Sequence, residues 1–502
     1  MDRITHIKNK VMKEKSIGLL LFLLIVLQPV LDVLSYFMIQ QGSTGFTTLL
    51  RFLIFAVVML YAFWIAENKK AYYFFAGVVG VYWILHMINC FRIGYRSPLD
   101  DFSNFLRVVQ MPAFVLAFIT LYRKCPNYAQ ILPFGFFVNI LTIWFVILLS
   151  YCTGNPVYTY PGIKSGLMGW FGVPNAQSAI VVLLVPLALY FAYYNKKILF
   201  LLTAALGFSL LFFTGTKLTF YSLILIAGGF LFLILINVFF VSDRKKYWKS
   251  NWFAILILCT AAVLPILFIP YSPMHQRETK QDTAYSNHQE DLSEILGESS
   301  SNGSGLPSTD NISEPLSMEQ YEKLYRSISG GFLGDLIDCF GIERVAEKYG
   351  YSTEASQLLG ARNKKLNFAQ LAWEDQDFLT KCFGYEYKTL ITENENYDLE
   401  NDFPSILYFY GYTGFGLYIL FLLYFFYLIF RELIIDIQKL FSFQSGLTCI
   451  TLLLLLGAAQ FSGNVLRRPN VSIYLSMILA LLYMMYHIPK IRKKGQADDA
   501  DS

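Results

Sequence analysis

Residues 17–39, IGLLLFLLIVLQPVLDVLSYFMI, form an apolar run that contains one charged side chain, Asp32. A helix of about 20 residues is long enough to cross the hydrocarbon core of a bilayer. The run is longer than the apolar part of a secretory signal peptide, and no clear small-residue cleavage site follows it. We therefore interpret it as a retained first transmembrane helix, preceded by a basic cytoplasmic N-terminus at residues 1–16.

Further apolar runs of spanning length follow along the chain. They cover residues 46–66, 71–90, 105–122, 131–151, 174–194, 198–213, 218–241, 252–270, 403–430, 447–461 and 471–488. Each must be helical, because lipid offers no hydrogen-bond partner to an open backbone. Only 15% of the residues are charged, against about 25% in soluble domains. The sequence predicts an all-α integral membrane protein with about 12 transmembrane helices, helices 1–9 within residues 17–270 and helices 10–12 within residues 403–488.

The basic residues predict the orientation of the chain. About twenty Lys and Arg residues fall on one side of the alternating topology and about six in the short connections opposite, and the positive side is cytoplasmic. Both termini, including the tail at residues 489–502, are therefore predicted to lie in the cytoplasm of a multi-pass cell-membrane protein. No basic face carries interleaved aromatic residues outside the membrane segments, so we expect no nucleic-acid partner.

One long segment, residues 271–402, is predicted to be an extracytoplasmic loop between helices 9 and 10. Residues 276–315 are rich in Ser, Asn, Glu and Gly, which predicts disorder. Apolar residues recur at helical spacing within residues 336–340 and 368–373, so we expect residues 318–402 to form a helical cap. Cys339 and Cys382 lie in this loop, and the sequence leaves open whether they pair.

Known cofactor motifs do not occur in the sequence. The seven cysteines form no C-x-x-C pair, the five histidines form no H-E-x-x-H, and no glycine-rich nucleotide loop follows a strand pattern. We therefore predict no metal site and no cofactor.

Several charged residues lie inside or at the ends of apolar runs, where burial costs several kcal/mol unless the group is paired or reaches water. They are Asp32, Arg51, Arg107, Lys217, Arg467 and Arg468. Asp32 lies deepest, so we expect it to be paired. The cations are near outer helix ends, where extension of the side chain toward water is the alternative explanation. Together with Lys164 and Arg362, they predict a cationic cluster beneath the cap that would bind a polyanion such as a diphosphate.

Particular segments resemble the O-antigen ligase-like family, which includes O-antigen ligases and polysaccharide polymerases. They are 27–37 (LQPVLDVLSYF), 161–175 (PGIKSGLMGWFGVPN), 214–217 (TGTK), 359–362 (LGAR), 381–385 (KCFGY) and 400–414 (ENDFPSILYFYGYTG). Three positions depart from the family pattern. Lys217 replaces an arginine, the second glycine of a Phe-Gly-x-Gly turn is absent, and the segment at residues 400–402 replaces the ligase histidine, which is more similar to the polymerases.

The resemblance implies a metal-independent membrane glycosyltransferase of the GT-C type without a cofactor. Such a protein takes a polyprenyl-diphosphate-linked glycan as donor and a glycan or cell-envelope acceptor, on the outer face of the membrane. Lys164, Lys217, Arg362 and Arg51 would then stabilise the diphosphate, and Glu400 or Asp402 would be the general base. Arg107, Asn175 and Asp32 complete the expected substrate-binding set.

Purely structural roles would also explain some of these residues. The acidic residues at positions 400 and 402 suit the start of a helix, Arg362 suits a loop salt bridge, and Asn175 follows a proline that tolerates a first helical turn. Two other functions also stay open: a transporter or flippase of lipid-linked glycans, and a non-catalytic assembly protein for a surface polymer.

Overall fold

The computed structural model describes residues 2–43, 45–300 and 316–487. The described part of the chain is almost entirely helical. Its helices are α1 (Asp2–Gln40), α2 (Gly45–Ile65), α3 (Lys70–Ile93), α4 (Pro98–Lys124), α5 (Tyr128–Cys152), α6 (Pro174–Asn195), α7 (Lys197–Thr214), α8 (Lys217–Asn237), α9 (Arg244–Leu267), α10 (Pro273–Ser300), α11 (Met318–Ser327), α12 (Gly334–Phe340), α13 (Ile342–Lys348), α14 (Ala355–Leu358), α15 (Ala361–Glu374), α16 (Phe378–Phe383), α17 (Asp402–Ile435), α18 (Ile437–Leu440), α19 (Phe443–Phe461) and α20 (Pro469–Tyr486). A short antiparallel hairpin, β1 (Tyr158–Tyr160) and β2 (Ser165–Leu167), lies between α5 and α6.

Twelve of the described helices are long and apolar enough to cross a membrane: α1–α9, α17, α19 and α20. The predicted all-α membrane architecture is confirmed. The division between α7 and α8 follows from Gly215, whose φ of 74° is in the left-handed region. A side chain there would place its Cβ 2.4 Å from the Cβ of Pro273, so the helix ends where only glycine fits.

Helix α4 begins earlier than its apolar run predicted, at Pro98 instead of Phe105. Proline suits the first helical position, because its missing N–H would have no partner there. Asp100 and Asp101 lie in the first turn, where negative charge suits the helix dipole. The proline and the two carboxylates of the first turn therefore indicate where this helix begins, whereas its hydropathy does not.

Helices α6 and α20 form the centre of the bundle, since most of their side chains are buried. Helix α20 packs against α4, and α6 packs against α5, α7 and α19. Because antiparallel helices alternate, the residues at the end of α1, the start of α2 and the start of α20 lie at one end of the bundle. Helices α10–α16 with their connections are called the cap, and the end of the bundle that they cover is called the cap face.

Helix α10 occupies part of the segment that was predicted from the sequence to be disordered. We expected residues 276–315 to be disordered, but Pro273–Ser300 is a helix; residues 301–315 lie outside the described residues, as does the tail. Contacts with other parts of the chain anchor this polar helix. Ser165 donates to the Gln276 side chain over 2.6 Å, Lys280 donates to the Gly162 carbonyl over 3.2 Å, and the Ala355 N–H donates to the Gln289 side chain over 2.8 Å.

The cap contacts the bundle through the backbone of residues 382–384, which lies against a kink in α17 at Gly411. Gly411 has φ 62° and Gly384 has φ 83°. A Cβ on Gly384 would lie 2.1 Å from the Phe409 carbonyl oxygen, and a Cβ on Gly411 would lie 2.5 Å from the Cys382 carbonyl carbon. Both glycines are thus required for this close approach. Cys382 is a free thiol, as is Cys339.

Candidate functional site

A cavity of about 960 Å³, called the main cavity, lies at the cap face. Its lining includes five of the residues that the sequence proposed: Asn175, Lys217, Arg362, Glu400 and Arg468. A smaller cavity of about 250 Å³, called the side cavity, is lined by Asp32, Arg51 and Arg107. Val173 and Arg468 line both cavities, so the two adjoin. The folded chain thus brings most of the proposed residues to one place.

Four helices begin at the walls of these cavities. The main cavity is lined by the first residues of α6, α8 and α15, and the side cavity by the first residues of α20. Within the part of the chain that the structure describes, no N-cap side chain forms a capping hydrogen bond at α6, α15 or α20. The first N–H groups of a helix have no partner within it, and the helix dipole makes this end positive. The arrangement therefore favours a bound anion.

The side chains add to this positive potential. Among the described residues that line the two cavities, six are cations and two are carboxylates. The cations are Arg51, Arg107, Lys217, Arg277, Arg362 and Arg468, and the carboxylates are Asp32 and Glu400. The lining therefore carries an excess of positive charge that a polyanion would balance.

Three of the six cations form ion pairs. Arg51 donates to Asp32 over 2.7 Å, and the same carboxylate oxygen accepts from the Asn470 amide over 3.0 Å. The pairing predicted for Asp32 is thus present. Lys217 lies 2.6 Å from Glu278 on α10. Arg362 is paired with Glu400, as described below.

The other three cations, Arg107, Arg277 and Arg468, form no ion pair with any described residue. Arg468 donates to the Asn464 side chain over 2.6 Å. The pKa of Arg468 is lowered from its ordinary value, first by desolvation and then by the positive charges of Arg107 and Arg467. Arg107 and Arg468 are therefore close enough to repel each other, and a shared anion would relieve that repulsion.

Glu400 and Arg362 form the acidic corner of the main cavity. Arg362 Nη2 donates to Glu400 Oε2 over 2.9 Å, and Arg362 Nη1 donates to the Phe461 carbonyl over 3.0 Å. The two side chains are 40% and 41% exposed. Arg362 Nε is buried without a partner among the described residues. One guanidinium thus holds the carboxylate in position and keeps a donor unused.

Asp402 is separated from the cavity, although the sequence proposed it as an alternative to Glu400. It is 1% exposed and does not line either cavity. Its carboxylate accepts the backbone N–H groups of Val465, Leu466 and Arg467 over 2.7, 3.0 and 3.3 Å. Asp402 therefore fixes the connection between α19 and α20, which places Arg468 at the cavity wall.

Two of the proposed cations also lie elsewhere. Lys164 is exposed in the turn between β1 and β2, with φ 49°, and lines neither cavity. Arg467 is buried and donates to the Leu399 carbonyl, the Asn104 side chain and the Asp398 carboxylate, each over 3.1 Å. Arg467 thus has a structural role, since its two Nη groups bind acceptors in the cap and on α4, although its Nε has no partner among the described residues.

Helix α10 contributes a wall of the main cavity that was not predicted from the sequence. Arg277, Gln281 and Tyr285 line the main cavity. They are spaced four residues apart, so they share one face of a helix. This spacing was visible in the sequence, but the prediction of disorder concealed it.

Comparison with known proteins adds an independent finding. A family model described as O-antigen ligase like membrane protein matches residues 13–488. This range includes all twelve candidate membrane helices and the cap. A search of curated proteins finds no match.

Proposed function

Because the chain belongs to the family of O-antigen ligase-like membrane proteins, we propose that it is a glycosyltransferase of the GT-C type that uses a polyprenyl-diphosphate-linked glycan as donor. It would transfer or polymerise this glycan for the synthesis of a cell-surface polysaccharide. Family membership itself supports a role as a glycan ligase or polymerase. The observation that carries the finer proposal is the cationic pair of cavities with Glu400 in their wall.

The diphosphate would bind where the side cavity meets the main cavity. Arg468 lines both cavities and Arg107 lines the side cavity, and neither forms an ion pair with a described residue. The free N-terminal turns of α6 and α20 begin beside them, and Asn175 adds an amide donor. Guanidinium groups match phosphate oxygens in a forked geometry. Arg51, oriented by Asp32, would contribute a further positive charge.

The glycan would extend into the main cavity. Tyr160, Tyr221 and Tyr285 line it and offer aromatic faces for sugar rings. Arg277 lies over the ring of Tyr160, with its guanidinium carbon 5.6 Å from the ring centre. Lys217 and Arg277 therefore form the wall of the cavity on the side of α8 and α10. There they would bind polar groups of the glycan or of the phosphate.

In the proposed reaction an acceptor hydroxyl attacks the anomeric carbon of the donor sugar. The new glycosidic C–O bond forms as the C–O bond to the diphosphate breaks, and the lipid diphosphate leaves with the electron pair. Glu400 takes the proton of the hydroxyl, a step worth about two to four powers of ten in rate. The arginines stabilise the charge that develops on the leaving group. They supply the positive charge that a metal ion would otherwise supply, so we propose a metal-independent transfer.

We also propose that the cap face is extracytoplasmic. The basic clusters at residues 69–70, 123–124, 196–197 and 244–249 lie at or beside helix ends at the opposite end of the bundle. Positive connections remain in the cytoplasm. The donor diphosphate and the acceptor would therefore meet on the outer face of the cell membrane.

The test is reconstitution of the purified protein in liposomes with a polyprenyl-diphosphate-linked repeat unit, followed by sizing of the glycan. A ladder of products identifies a polymerase, whereas a single transfer to a separate acceptor identifies a ligase. Glu400 in place of a ligase histidine favours the ladder. Movement of the donor across the bilayer without a new glycosidic bond would contradict the proposal and identify a flippase.

Matched variants make this test specific. Arg468→Ala should slow release of lipid diphosphate at least about tenfold. Arg244→Ala removes an exposed arginine at the opposite end of the bundle and should leave the release unchanged. Equal activity of the two variants would contradict the proposed donor site.

A further inference from the structure

Three side chains with metal-ligating atoms meet outside the two cavities. They are His86 and Cys90, one turn apart on α3, and Asp101 in the first turn of α4. All three residues are fully buried, with 0% exposure. Their ligating atoms lie within 4.8 Å of one another. The proposed glycosyl transfer uses none of them.

The distances between these atoms fit a tetrahedral metal ion. His86 Nε2 lies 2.9 Å from Asp101 Oδ2 and 3.5 Å from Cys90 Sγ. Nitrogen, oxygen and sulfur ligands bind zinc at about 2.0–2.3 Å, so a tetrahedral arrangement puts them about 3.3–3.6 Å apart. Small side-chain movements would therefore admit an ion between the three atoms.

The surrounding groups orient the histidine for this role. His86 Nδ1 lies 2.7 Å from the Phe383 carbonyl oxygen. A carbonyl only accepts, so Nδ1 carries a proton, and Nε2 is left to bind either a second proton or an ion. A histidine ligand commonly donates its other N–H to a backbone carbonyl.

Asp101 supplies a second, independent observation. Its Oδ2 accepts from the Tyr95 hydroxyl over 2.7 Å. Its Oδ1 is buried and has no hydrogen-bond partner among the described residues. A buried carboxylate oxygen without a partner is costly. A hydrogen bond between His86 and Asp101 Oδ2 leaves Oδ1 unsatisfied, whereas an ion bound through both carboxylate oxygens would satisfy it and would have four ligand atoms.

We propose that His86, Cys90 and Asp101 bind one divalent cation of the zinc class. The combination of imidazole, thiolate and carboxylate suits zinc better than magnesium or calcium, which prefer oxygen ligands alone. The ion joins α3 to α4, and through the Phe383 carbonyl it joins both helices to the cap. Its role is structural, because it lies outside both cavities.

The His86, Cys90 and Asp101 site lies between the cap and helix α4, which carries Arg107 of the side cavity. Phe383 precedes Gly384, whose backbone lies against the kink of α17. Asn104 and Arg107 follow Asp101 along α4 at intervals of three residues, so they lie near the same face of the helix. The ion would therefore fix the cap relative to the helix that carries Arg107.

The test uses the purified full-length protein in detergent, stripped with a chelator and then incubated with zinc or cobalt alone. After removal of excess metal, elemental analysis should find about one ion per chain. The cobalt form should show a thiolate-to-metal charge-transfer band, because Cys90 is a ligand. Zinc should also raise the temperature of unfolding of the stripped protein.

The variants Cys90→Ser and Asp101→Asn should each weaken zinc binding at least tenfold, and Cys90→Ser should abolish the charge-transfer band. Cys125→Ser is the matched control, since Cys125 is also a buried free thiol but is not part of the cluster. Should the variants fail to fold, the unsubstituted protein decides the question. Retention of less than about 0.1 ion per chain, or a cobalt spectrum without a thiolate band, would overturn the proposal and leave a histidine–aspartate ion pair. These measurements need no glycan substrate, so they fail or succeed independently of the proposed transferase activity.

Discussion

Substitution of the two neighbouring carboxylates at the start of α17 should have opposite consequences. Glu400→Gln keeps the size of the side chain and removes its ability to take a proton. If Glu400 is the general base, kcat should fall by about 10²–10⁴, which corresponds to about 2.7–5.5 kcal/mol in the activation barrier. Folding should hardly change, since an ion pair this exposed contributes about 0–1 kcal/mol.

Asp402→Asn should instead destabilise the fold. The buried carboxylate accepts three backbone N–H groups. Replacing it with an amide removes the charge from these hydrogen bonds, at about 1 kcal/mol each, and points an NH₂ group at one of the donors. We expect a loss of about 2–4 kcal/mol and a clearly lower temperature of unfolding. Activity should fall in parallel with the folded fraction.

The assay measures two quantities on the same preparations: the initial rate of lipid diphosphate release and the temperature of unfolding. Arg244→Ala, a substitution far from the cavities, is the control variant and should change neither the rate nor the temperature of unfolding. The reasoning is refuted if Glu400→Gln stays within about threefold of the unsubstituted rate. It is equally refuted if Asp402→Asn is as stable as the unsubstituted protein but inactive, since Asp402 would then act in the chemistry.

Further predictions concern the donor site, the cap and the topology. Arg468→Lys should retain part of the activity that Arg468→Ala loses, because lysine keeps the charge but not the forked donors. Equal rates of the two variants would contradict a contribution of the positive charge by itself. Gly384→Ala should lower the unfolding temperature and loosen the cap, because the left-handed backbone of Gly384 and the Phe409 carbonyl oxygen at 2.1 Å exclude a Cβ. Proteolysis of the cap should be faster in this variant, and unchanged proteolysis would contradict the proposed contact. In a background in which the exposed Cys152, Cys259 and Cys339 are replaced by Ser, an impermeant thiol reagent should label Lys323→Cys on the exposed face of α11 in intact cells but should not label Lys246→Cys at the opposite end. The reverse pattern would invert the topology.

The helices could be predicted from the sequence because the bilayer restricts the choice of structure. An apolar run of spanning length has to be helical, so the positions of twelve helices followed from hydropathy. The expectation that Asp32 is paired followed from the same physics, since an isolated charge at that depth is too costly. The ends of α4 were less accurate because hydropathy ignores the proline and carboxylates of its first turn.

The cavities were harder to predict because they depend on contacts between distant parts of the chain. The alternating topology of the apolar runs predicted that Lys217, Arg362 and Arg468 lie at one end of the bundle. It did not predict which of these cations line a common cavity. Lys164 lies in the hairpin between α5 and α6 and lines neither cavity. Composition alone also misjudged α10, whose order depends on partners such as Ser165 and Gly162.

The junction of His86, Cys90 and Asp101 illustrates the same limit. The spacing of His86 and Cys90 on one helix face was legible from the sequence. Asp101 joins them only through the turn between α3 and α4 and the position of the cap carbonyl at Phe383. No local pattern encodes that combination, so motif searches for zinc sites do not find it.

We propose that Arg468, which lines both cavities, and Arg107, which lines the side cavity, together bind the donor diphosphate. The most direct test compares the double variant Arg107→Ala/Arg468→Ala with Arg244→Ala/Lys245→Ala, which removes two exposed cations at the opposite end of the bundle. The measurement is kcat/KM for release of lipid diphosphate in liposomes, alongside the temperature of unfolding. Hydrogen bonds to charged groups contribute about 1.5–3 kcal/mol each, so we predict a loss of at least about 100-fold for the first variant and none for the second. A folded Arg107→Ala/Arg468→Ala protein that turns over the donor at the unsubstituted rate would contradict the account.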